Sequence, residues 1–127
     1  MNRPALKRLL SLLQQPTAPF REALVIRFVE QQLAKARLPW FRDPAGNLVV
    51  GCTARQYPAL LNTRSREPLR LLISHLDHPG FHGLRWKNPQ TLEFRWLGGS
   101  PVRRLLGAPV WLSHGGDWRG EGRIVRA

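Results

Sequence analysis

Leu6, Leu9, Leu10 and Leu13 recur at helical spacing between Pro4 and Pro16, with Lys7 and Arg8 on the opposite side. This pattern predicts an amphipathic helix whose leucines face a core. A second helix is predicted from Pro19 or Phe20, where proline suits a first turn and Glu22 complements the positive helix end. It should bury Leu24, Val25, Phe28, Val29 and Leu33 and end before Pro39. Trp40 to Asp43 and Leu48 to Cys52 read as paired strands around Pro44-Ala45-Gly46-Asn47, because Gly and Asn accept the left-handed conformations a tight turn needs. Thr53 to Pro68 is polar apart from the island Pro58-Ala59-Leu60-Leu61 and reads as a connecting loop.

Leu69, Leu71, Leu72 and Ile73 form a nearly continuous apolar run, the pattern of a central strand covered on both faces, and Pro79-Gly80 stops it. Beyond it, Gly83 to Lys87 and Thr91 to Leu97 predict a hairpin turning at Asn88-Pro89-Gln90. Val110 to Ser113 and Gly122 to Val125 predict another around His114-Gly115-Gly116-Asp117. Near Phe81 the chain changes from leucine-rich helices to strands punctuated by Trp and Gly. The expected organisation is therefore an α/β segment over residues 1–82 followed by a β-rich segment over 83–127.

The polar cluster His75-Leu76-Asp77-His78-Pro79-Gly80-Phe81-His82 falls at the carboxyl end of the predicted central strand, where ligands collect in open α/β sheets. An imidazole can bind a divalent metal through one neutral nitrogen while a nearby carboxylate fixes its ring and tautomer. On that chemistry His75 is the candidate metal ligand and Asp77 its orienting, catalytic-site partner, with His78 and His82 as further nitrogen donors. A structural histidine beside a turn aspartate is the plainer reading of the same residues. The single cysteine, Cys52, excludes an internal disulfide and reads as a small apolar residue at a strand end.

Several segments in chain order resemble the co-catalytic zinc or cobalt aminopeptidases, the family of glutamyl, deblocking and tetrahedral aminopeptidases. Pro16-Thr17-Ala18-Pro19-Phe20-Arg21-Glu22 is similar to the family's opening loop and helix, and Asp43-Pro44-Ala45-Gly46-Asn47-Leu48 to its Asp-x-x-Gly-Asn-Leu hairpin. His75-Leu76-Asp77-His78-Pro79-Gly80-Phe81 resembles its His-Met-Asp-Glu-x-Gly-Phe metal motif, with His78 where glutamate is common. Leu92 to Gly99, Gly107-Ala108-Pro109-Val110 and Gly120-Glu121-Gly122-Arg123-Ile124 look like the strands that follow, including the first strands of an inserted barrel domain. The resemblance implies an amino-terminal portion of a zinc-aminopeptidase-like α/β lobe followed by strands of that barrel. It implies a metal-dependent peptide hydrolase with a peptide substrate and a possible homo-oligomer. His75 would hold zinc or cobalt, and Gly80-Phe81 would shape the turn beneath. The family's bridging aspartate and general-base glutamate have no counterpart here, since after Asp77 the only carboxylates are Glu93, Asp117 and Glu121. Weak metal binding and no activity by this portion alone are therefore expected.

Charge opens a competing class. The 127 residues are 43% hydrophobic, enough for a core, yet 20 Lys and Arg stand against 8 Asp and Glu, a net charge of +12 that draws polyanions. Arg85, Trp86, Lys87, Arg95, Trp96, Arg103, Arg104, Trp118, Arg119, Arg123 and Arg126 interleave cations with aromatics, which can neutralise phosphates and stack bases. Against this, Trp86, Trp96 and Trp111 sit in predicted strands, where half-buried packing is the expected role. A non-catalytic structural or dimerisation module is a third class. No apolar run approaches the ~18 residues of a membrane span, and a cytoplasmic location without membrane contact is expected.

Overall fold

The computed structural model describes residues 3–62, 68–99, 101–115 and 117–127. In chain order they form α1 (Arg3–Leu13), α2 (Ala23–Lys35), β1 (Trp40–Arg42), β2 (Leu48–Val50), α3 (Tyr57–Asn62), β3 (Gly80–Asn88) and β4 (Thr91–Leu97). A 3-10 turn at Val102–Leu105 precedes β5 (Pro109–His114) and β6 (Asp117–Arg123). The chain divides into two compact units, Val29–His75 and the combination of Met1–Phe28 with Leu76–Ala127.

In the unit Val29–His75, β1 and β2 pair antiparallel with Trp40 opposite Val50 and Arg42 opposite Leu48. The turn between them forms as its residue types dictate. Gly46 takes φ +90°, the backbone N–H of Asn47 donates to the Asp43 carboxylate at 2.8 Å, and the Asn47 amide donates to its other oxygen at 2.8 Å. These hydrogen bonds hold the Asp43 carboxyl below the usual aspartate range, the Asn47 side chain contributing most. Arg42 anchors the hairpin to α2 through Glu30 at 2.6 Å. The segment expected to be a loop contains α3, and its start carries a signal in the sequence. Thr53-Ala54-Arg55-Gln56 is a capping box in which the Thr53 N–H donates to the Gln56 side chain at 2.9 Å and the Gln56 N–H donates to the Thr53 hydroxyl at 3.4 Å. Tyr57 then meets Phe41 edge to face, with centroids 5.5 Å apart. Cys52 is buried just after β2, in its expected role.

In the other unit, the loop before α2 lies against β3. A Cβ built on Gly80 would stand 2.6 Å from that of Ala18, and the His82 ring Nε2–H donates to the Pro19 carbonyl at 2.9 Å. β3 and β4 pair antiparallel, and Phe81 packs on Phe94 and Trp96 with centroids 4.5 and 4.8 Å apart. β5 and β6 form a second hairpin closed by Ile124, the largest fully buried side chain among the described residues. Its carbonyl accepts from the Gly107 N–H at 2.7 Å and its N–H donates to the Ala108 carbonyl at 3.1 Å.

The expected α/β lobe with strands of an inserted barrel is corrected by this topology. The described strands make three separate two-stranded sheets, β1-β2, β3-β4 and β5-β6, and none closes into a barrel. Closure requires each strand to bond neighbours on both edges, whereas every strand here has one partner. Bulges between Gly83 and Arg85, Trp86 and Asn88, and Leu112 and Ser113 add local twist to the two longer ribbons. The apolar run after residue 68 is corrected too. It enters none of the three sheets, no described strand pairs with its edges, and Leu69, Leu71, Leu72 and Ile73 are 58, 65, 97 and 85% exposed. The α1 leucines form the predicted helix, but Leu6, Leu9, Leu10 and Leu13 are exposed rather than core.

Candidate nucleic-acid interface

The pairing of β5 with β6 decides which side chains share a face. Trp111 stands opposite Glu121, Ser113 opposite Trp118 and Pro109 opposite Arg123, so these residues occupy one face of the ribbon. Val110 and Leu112 take the other face, opposite Gly122 and Gly120. A Cβ on Gly122 would meet the Val110 side chain at 3.6 Å. Gly122 thus lets the Val110 side chain lie over β6, and the large residues of β6 are left to the wet side. Trp111 and Trp118 are accordingly 57 and 66% exposed.

β3 and β4 sort differently. His82, Arg85, Glu93 and Arg95 are polar cross-strand partners, while Phe81, Phe94 and Trp96 form the aromatic cluster. Trp96 is half-buried, the packing role expected of it. Trp86, paired with Leu92 between two bulges, is exposed, and so the expectation that Trp86 and Trp111 pack half-buried is corrected.

Cations surround these tryptophans. All of the Lys and Arg residues except Lys7, Lys35 and Lys87 are arginines, whose planar forks suit bidentate contact with phosphate. Arg85 and Lys87 flank Trp86 and reach Glu93 at 2.6 and 3.8 Å. Arg119 follows Trp118 and reaches Asp117 at 3.6 Å. Arg103, Arg104 and Arg126 are exposed and make no ion pair among the described residues.

The hydrogen bond from Arg85 is the main cause holding the Glu93 carboxyl below its usual range, with the charges of Arg85 and Lys87 adding to it. A carboxylate whose pKa is depressed by folding stabilises the fold above its unfolded value, and that contribution disappears as pH falls through the lowered folded value. Acidification below the usual glutamate range is therefore expected to loosen the β3-β4 hairpin, and Glu93→Gln to flatten this acid limb. Thermal unfolding of both proteins across that range is the check. An unchanged limb in Glu93→Gln would assign it to another carboxylate.

The metal-site expectation fares differently. His75 is exposed at the end of the unit Val29–His75, and Asp77 is half-buried at the start of the other unit's second segment. His78 and His114 are exposed, and the His82 ring is engaged by the Pro19 carbonyl. Among the described residues no group of three or more His, Cys, Asp or Glu side chains could hold a metal ion. Among the described residues the donors of a zinc or cobalt centre are not assembled, and the expectation of a zinc metalloprotease centre is corrected on that ground. A cleft of about 280 Å³ beside Cys52 is lined by Gly51, Gln56, Ala59 and Leu60 and offers no carboxylate or imidazole for hydrolysis.

No family model, curated protein or solved structure matches this chain. What the molecule displays most plainly is a set of exposed tryptophans among arginines. No helix of the described residues is long and apolar enough to cross a membrane.

Proposed function

We propose that this chain is a basic nucleic-acid-binding module. The observation that supports it is the exposure of Trp86, Trp111 and Trp118 on strands that also carry Arg85, Lys87, Arg119 and Arg123. Exposing a large indole costs hydrophobic stabilisation that burial would recover, and an aromatic face beside cations suits a ligand with both planar bases and phosphates. Arg103, Arg104 and Arg126 are exposed, have no carboxylate partner among the described residues, and are available for phosphate.

The charge term is tested by salt. Each neutralised phosphate releases counterions, so the logarithm of the binding constant falls with that of salt by about 0.7 to 0.9 per contact. Replacing Arg103, Arg104 and Arg126 together with alanine is expected to reduce this slope by about 2 and to weaken all oligonucleotides alike. Fluorescence anisotropy with unrelated sequences, from low to physiological salt, measures both. A slope unchanged by the triple substitution would remove these arginines from the interface.

A further inference from the structure

We infer that the wet face of the β5-β6 ribbon is a two-base stacking platform selective for single-stranded nucleic acid. The inference rests on the nucleic-acid reading above and names the form of ligand that this face can take.

The register makes Trp111 and Trp118 diagonal neighbours, since Trp118 pairs with Ser113, two residues along β5 from Trp111. Side chains on one face at such diagonal positions stand about 7–8 Å apart. Bases within a duplex strand follow one another at about 3.4 Å with their faces covered, leaving only edges in the grooves. Two indoles at roughly twice that spacing can each accept a base face only if neighbouring bases have separated. A single strand does this readily, whereas a duplex would have to unpair and unstack.

Charge sets the path of the backbone. Glu121 lies on this face directly opposite Trp111 and repels phosphate, while Arg123 lies on the same face and Arg119 occupies the bulge beside Trp118. Arg119 is held loosely, with 3.6 Å to Asp117, and Arg123 donates to the Gly107 carbonyl at 3.1 Å while its charge has no carboxylate partner among the described residues. Phosphates would therefore follow the Arg119 and Arg123 flank, with bases turned inward onto the two indoles.

The test compares three probes of equal length at physiological salt: an oligothymidine single strand, the same strand with abasic sites throughout, and a duplex. The full chain is used, with Trp111→Ala, Trp118→Ala and Trp118→Tyr as variants whose folding is checked by circular dichroism. The single strand is expected to bind most tightly. Each alanine variant should lose about 5- to 160-fold, the range for one stacked base, and Trp118→Tyr should retain most of the affinity. An abasic strand or duplex bound as tightly as oligothymidine, or alanine variants at full affinity, would overturn the stacking platform and leave the arginine-based reading standing. Failure of every probe to bind, even at low salt, would remove both.

Discussion

Replacing Ile124 with alanine is expected to cost about 2–4 kcal/mol, a large share of the ~5–15 kcal/mol that holds a typical domain together. The side chain is 2% exposed, in a structure whose buried apolar residues otherwise include only Ala18, Val25 and Cys52 among those described. Its backbone also joins the strand ends to Gly107 and Ala108, so a cavity here would loosen the β5-β6 ribbon at the point where it is tied. Ile124→Val, which removes one methylene, should cost about 0.5–1.5 kcal/mol. Urea titration of the three proteins gives the ordering directly. Equal midpoints for native protein and Ile124→Ala would mean that the ribbon does not depend on this side chain. A fall in midpoint at constant slope would confirm loss of stability without a change in the surface exposed on unfolding.

The next largest effect belongs to Gly80. A Cβ there would stand 2.6 Å from the Ala18 Cβ, 3.0 Å from the Thr17 carbonyl oxygen and 3.1 Å from the Ala18 Cα. Two of those atoms are backbone, so the loop before α2 must move away from β3 and strain the His82 contact with Pro19. Overpacking of this kind costs about 1–3 kcal/mol, and a weakened hydrogen bond about 1 kcal/mol more. Gly80→Ala is therefore expected to lose about 2–4 kcal/mol. Adding Ala18→Gly removes the nearest obstacle and should restore part of the loss, while the Thr17 carbonyl keeps the recovery incomplete. Thermal unfolding of both single variants and the double variant closes the cycle. Additive losses would place the obstruction elsewhere.

Local chemistry was the legible part of this sequence. Asp43-Pro44-Ala45-Gly46-Asn47 fixes its turn through its own side chains, and α1, α2 and the β3-β4 hairpin follow from periodicity and turn residues. The Thr53-to-Gln56 capping box was equally local, and α3 was hidden only because proline and polar neighbours suggested a loop. Pairing beyond neighbouring strands was not legible. The run Leu69, Leu71, Leu72 and Ile73 has the composition of a central strand, but composition cannot supply the flanking strands that make one central. The spacing of His75 and Asp77 states only what two side chains could do, while a complete metal centre needs further donors, and among the described residues none completes a group of three. The exposure of Trp118 was not legible, because strict alternation would place it on the face of Gly120 and Gly122, and only the bulge between Leu112 and Ser113 turns it to the other side.

The burial of Cys52 equips the chain with a built-in clock. Being the one thiol in the protein, it gives a single labelling signal, and at 6% exposure its reaction with an alkylating reagent is slowed until its surroundings open. Its modification rate therefore times the opening of the unit Val29–His75 with no need for an introduced probe. Followed alongside unfolding of the β5-β6 ribbon, that clock would tell whether the two units breathe together or each at its own pace.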